Sequence, residues 1–168
     1  MSSHGRSHWF NFICAWIGLA LILVANSSYG LCVSSYQARL RSEPNSSARV
    51  TWVVGKYMPL VELDRRGGWV KVRDLDGESH WISGSEVTSR EKCVVVKARR
   101  AALRKGPSTR QGLAEIQAVD RYTAFRRVDG ELEDEPDSWY WVEDEAGKRF
   151  WIPTAVVWRA TTVSRIGF

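Results

Sequence analysis

From Trp69 to Arg73 apolar and polar positions alternate: Val70 and Val72 fall on one face, Trp69, Lys71 and Arg73 on the other. The pattern returns where Tyr140 and Val142 alternate with Trp139, Trp141 and Glu143. A period of two belongs to a strand half buried in an antiparallel sheet, whereas a helix repeats at about 3.6. Similar spacing predicts strands at 49–54, 59–64, 79–82 and 85–88, with counterparts at 113–119, 123–128, 149–152 and 155–159. Gly67-Gly68, Asp76-Gly77 and Ala146-Gly147 supply turns, because glycine reaches positive φ without strain. A helical alternative competes only around 97–105.

The strands belong to a repeat. Leu40-Arg41 and Pro44 match Leu103-Arg104 and Pro107 at an offset of 63, Lys56-Tyr57 match Arg121-Tyr122 at 65, and GESHWI at 77–82 matches GKRFWI at 147–152 at 70. An offset that grows while the matches keep their order means insertions in loops around a shared path. The second insertion falls in 129–137, where Leu132 is the only aliphatic side chain among acids, Gly130 and Pro136. The chain therefore divides into a unit at 31–88, a polar hinge at 89–92, a second unit at 93–160 and a tail at 161–168. About five short strands in each unit are too few for an immunoglobulin-sized sandwich and suit a small barrel.

ARLRSEP at 38–44, GWVKV at 68–72 and GESHWI at 77–82, with their second copies, resemble tandem bacterial SH3-like domains. The expected fold is all-β: two small SH3-like barrels behind a signal peptide or anchor at 1–30. In such barrels the Trp that opens this strand borders a groove for peptide or glycan. The resemblance thus makes Tyr57 and Trp69 ligand candidates in the first unit, and Tyr122, Trp139 and Trp141 in the second. The alternative is that these rings cover a barrel end or pack the units together. Trp81 and Trp151, each just before an isoleucine, read as core or interface residues. The segment from Trp151 resembles the proline-helix groove of eukaryotic SH3 domains. Pro153 is kept there and joins the ligand candidates, but Val156, and Ser83 and Glu86 in the first unit, stand where that groove needs other side chains.

The start of the chain reads as an export signal. Arg6 is its only basic residue, and 9–25 is apolar except for Asn11 and Gly18. Small residues at Ser28 and Gly30 suit cleavage before Leu31, while an uncleaved 9–25 would anchor the protein in the inner membrane. The expected location is periplasmic or extracellular. Removing Arg6 from 24 basic residues leaves 23 against 19 acids, a net of +4, too mild for a nucleic-acid footprint. The basic run Lys97, Arg99, Arg100, Arg104, Lys105 and Arg110 reads as a solvated face. With Cys14 in the export segment, Cys32 and Cys93 remain, near the same place at the start of their units. In an oxidising compartment they are expected to bridge, the alternative being two buried thiols.

Catalysis and metal chemistry find little footing. His80 is the only histidine after the export segment, no CxxC occurs, and no cofactor is expected. Asn45-Ser46-Ser47 satisfies a glycosylation sequon but reads as a turn. The expectation is a non-catalytic exported binding or scaffolding module of the bacterial envelope, with cell-wall peptide or glycan as partner. The alternative is a regulatory subunit that meets an envelope protein through its Trp-rich surface.

Overall fold

The computed structural model describes residues 28–128 and 138–162. Of the expected signal peptide or anchor at 1–30, residues 1–27 lie outside the described residues, as do the acidic stretch 129–137 and the chain from 163. A two-residue strand, β1 (Ser28–Tyr29), precedes the first sheet. That sheet contains β2 (Leu31–Val33), β3 (Gln37–Arg41), β4 (Val50–Gly55), β5 (Pro59–Arg66), β6 (Trp69–Arg73), β7 (Ser79–Ser83) and β8 (Val87–Thr88). The second contains β9 (Cys93–Val96), β10 (Arg100–Arg104), β11 (Leu113–Asp120), β12 (Ala124–Arg127), β13 (Trp139–Glu143), β14 (Arg149–Pro153) and β15 (Val157–Trp158). A last strand, β16 (Thr161–Thr162), pairs with β1.

The two sheets share one topology: β4-β3-β7-β6-β5-β2-β8 is repeated as β11-β10-β14-β13-β12-β9-β15, antiparallel throughout. The pleat puts Leu40, Val70, Val72 and Ile82 into one core, and Leu103, Tyr140, Val142 and Ile152 into the other. Full burial of each aliphatic chain stabilises by about 1.5–3 kcal/mol, the main return for ordering so many short strands. The 97–105 segment is no helix. Ala101 and Leu103 point inward while Arg100 and Ala102 stay exposed, so period two overrides local helical propensity there. The strands expected at 85–88 and 155–159 begin instead as 3-10 turns, Gly84–Glu86 and Thr154–Val156, leaving two-residue strands behind them.

Each sheet carries the same side-chain-built turn. Asp74 Oδ1 accepts from the backbone N–H groups of Asp76 and Glu78, both at 2.9 Å, and Asp144 Oδ1 from those of Ala146 and Lys148 at 2.9 and 2.8 Å. Gly77 and Gly147 close these turns at φ +87° and +81°, which a side chain would strain.

The units are fastened together. Cys32 and Cys93 form a disulfide with Cα atoms 5.9 Å apart, packed with Tyr57 and Ala124. Val95 of the second sheet belongs to the first core, and Trp158 packs against it. Ser28–Tyr29 and Thr161–Thr162 extend the ordered fold past the expected limits of 31 and 160. Between them Gly30 donates its N–H to the Ala160 carbonyl at 2.8 Å. A Cβ on Gly30 would stand 2.3 Å from that of Ala160, so only glycine permits this approach.

Candidate functional site

Inward placement of Tyr140, Val142, Phe150 and Ile152 obliges their neighbours on β13 and β14 to face outward. Trp139 stands opposite Pro153, and Trp141 opposite Trp151 in the next row. The indoles of Trp141 and Trp151 stack with centroids 6.1 Å apart and planes 15° from parallel. Arg104 faces Trp151 from β10, and the Arg149 guanidinium lies over the Trp141 ring at 5.1 Å. All four apolar members of this face are half-buried.

A charged row bounds the platform. Glu143 accepts from Arg149 Nε at 2.9 Å and from Arg126 Nη2, and these two guanidiniums, Arg149 first, hold its carboxyl below the usual range. A carboxylate with a lowered folded pKa contributes stability that is complete above the unfolded glutamate range and is lost as pH falls toward the folded value. Glu143→Gln should therefore flatten the acid limb of stability, with the urea midpoint changing less between pH 6 and pH 3 than in the parent. An equal acid loss in both proteins would refute the assignment.

The matching face of the first unit is sealed. Trp81 is 7 % exposed, with Lys71 opposite it on β6, Arg41 opposite on β3, and the Arg66 guanidinium 5.4 Å from its ring centroid. Where the second unit places Trp141 and Pro153, the first has Lys71 and Ser83. Trp69 is half-buried, with Ser83 opposite it on β7 and Arg66 opposite it on β5.

Of the ligand candidates, then, Trp139, Trp141 and Pro153 share one surface. Trp151, read as a core or interface residue, joins them, because its side chain alternates with the inward Phe150 and Ile152. A Trp-x-Trp strand facing a Trp-x-Pro strand was the signal available for it.

The two tyrosines go elsewhere. Tyr57 is 8 % exposed beside the disulfide, which leaves a ligand almost no surface. Tyr122 meets Trp52 of the first unit edge-on at 5.3 Å and donates its hydroxyl to Asp76 Oδ2 at 2.8 Å, while Arg121 holds Asp76 Oδ1 at 2.6 Å. These bonds, that of Tyr122 foremost, lower the Asp76 pKa. Both tyrosines adopt positive φ, 67° and 71°, uncommon for a bulky residue, and their backbone N–H groups donate to Val33 and Val96. The repeated Lys/Arg-Tyr pair marks a tight turn whose ring reaches the junction, the packing alternative of the sequence reading.

His80 is held inside. Its Nδ1 is 2.8 Å from Thr51 Oγ1 and its Nε2 is 3.2 Å from Asp74 Oδ2. Phe150 fills the equivalent place in the second unit. Asn45 Oδ1 accepts from the backbone and hydroxyl of Ser47, the turn expected there. Among the described residues no group of three or more His, Cys, Asp or Glu side chains is arranged for a metal ion. Among them, too, no helix is long and apolar enough to cross a membrane.

Residues 37–88 match the family described as the bacterial SH3 domain. No curated protein matches the chain. Among solved structures it is similar to the structure of NlpC1 from Trichomonas vaginalis, at 17 % identity and a TM-score of 0.32, over 83 % of this chain and 50 % of that one. The chain thus spans half the length of that structure.

Proposed function

We propose that the protein is an exported, non-catalytic binding module of the bacterial envelope that holds cell-wall peptide or glycan on the Trp139, Trp141, Trp151 and Pro153 face. The observation that carries this reading is the clustering of three indoles and a proline in two adjacent rows, flanked by Arg104 and Arg149. Flat indoles cover the apolar faces of sugar rings or peptide side chains, and guanidiniums meet the carboxylates between them. Trp and Arg also dominate the residues that carry binding energy at interfaces. The bacterial SH3 match at 37–88 supports a wall-binding class, and the disulfide agrees with an oxidising compartment. Binding rather than turnover is favoured because both ring nitrogens of His80 are engaged in a nearly closed interior.

The test is retention on purified sacculi. Replacing both Trp139 and Trp141 with alanine should weaken retention by roughly 30-fold or more, as losing a binding hot spot does. Trp69→Ala should change it about twofold or less, since Ser83 and Arg66, not a second indole, stand opposite that ring. Parent protein retained no better than an unrelated β-barrel would refute wall binding and favour a protein partner on the same face.

A further inference from the structure

A second concavity lies at the junction, away from the tryptophan face. Its volume is about 300 Å³, at the low end for ligand sites, and it opens at the mouth of the second barrel with Gly55 and Lys56 of the first unit as one wall. Half-buried Val119 and Ala124 form its floor, over the closed core residues Leu103, Phe125 and Phe150. Its rim carries exposed Ile116 and Tyr122, together with Asp144 and Glu145.

The repeat explains why this mouth is open. In the first unit Trp52 stands opposite Leu40, packs onto the core and is covered by the Tyr122 ring. Leu103 is the repeat partner of Leu40, yet the facing stretch of the second unit, 113–119, contains no aromatic residue. The place an indole covers in one barrel is covered in the other by smaller side chains, Val119 among them, which leave a shallow apolar well above a closed core. The charges among its lining residues narrow the occupant: two carboxylates, Asp144 and Glu145, and Lys56, whose ammonium is drawn over the Tyr36 and Tyr57 rings.

We infer that this well binds the amino-terminal residue of a peptide, its large apolar side chain on the Val119–Ala124 floor beside Ile116 and its free ammonium at Asp144 and Glu145. The first peptide carbonyl then turns toward Lys56. An apolar group with a cation beside it satisfies floor and rim together, whereas an acyl-capped end leaves two carboxylates facing an uncharged amide. The site is independent of the tryptophan face and stands whether or not wall binding does.

Phenylalaninamide, N-acetylphenylalaninamide and glycinamide serve as probes, titrated into the ¹⁵N-labelled full chain. Phenylalaninamide is expected to bind with a low-millimolar Kd, shifting the amides of Ala124, Phe125 and Phe150 and leaving those of Trp139 and Trp141 in place. The acetylated and side-chain-free probes should bind at least about tenfold more weakly. Glu145→Gln should weaken phenylalaninamide by about threefold, a modest loss because that carboxylate is exposed. Ile116→Trp, a plug that copies the role of Trp52, should abolish the shifts with the rest of the spectrum unchanged. Equal binding of the acetylated probe, undiminished binding to the Ile116→Trp chain, or no shift at about 20 mM would each overturn the assignment.

Discussion

Replacing both Cys32 and Cys93 with serine lowers stability by about 4 kcal/mol and the melting temperature by roughly 10–20 °C, read by circular dichroism without reductant. The bridge joins residues 61 apart in sequence, and closing a loop of that size removes about this much free energy's worth of entropy from the unfolded chain. It also lies in a packed environment: Tyr57 and Ala124 surround it at the seam between units. Reduction should therefore weaken the junction first, and protease sensitivity at 89–92 should rise before either core is lost. A double serine variant melting within about 2 °C of the parent would show that buried contacts hold the seam unaided.

Asp74→Ala should cost about 3 kcal/mol, and Asp144→Ala in the second unit about 2 kcal/mol, both read from urea midpoints. Each carboxylate accepts two backbone N–H bonds, and alanine leaves those donors without their acceptor. Only Asp74 also faces a nearly buried histidine, whose Nε2 would lose its partner inside the barrel, and this makes the first substitution the costlier. The two halves of the repeat serve as each other's control. If Asp144→Ala proves as costly as Asp74→Ala, or costlier, His80 does not depend on Asp74 as the geometry implies.

Most of the architecture is carried by short-range pattern. Alternation at Trp69–Arg73 and Trp139–Glu143 settles which side chains face the cores, since a strand has only two faces and one is dry. The order of the repeated motifs implies one topology used twice. The even pair of cysteines at matching places anticipates the bridge. Family resemblance did not reveal function so directly: it made Tyr57 and Tyr122 ligand candidates, whereas both stand at positive φ in a turn common to the two units, Tyr57 beside the disulfide and Tyr122 against Trp52.

The amino-acid sequence by itself therefore determined the duplication, from the order of its motifs, and the strand phase with the outward aim of Trp69, Trp139 and Trp141, from neighbours two residues apart. Only the tertiary structure decided which outward rings stay accessible. Arg66 and Lys71 cover Trp81, Tyr122 covers Trp52, and Tyr57 sinks beside the disulfide, while Trp139, Trp141 and Trp151 gather on one face. Exposure depends on what lies above a side chain, and those covering groups come from distant strands or from the other unit, where no local period can place them.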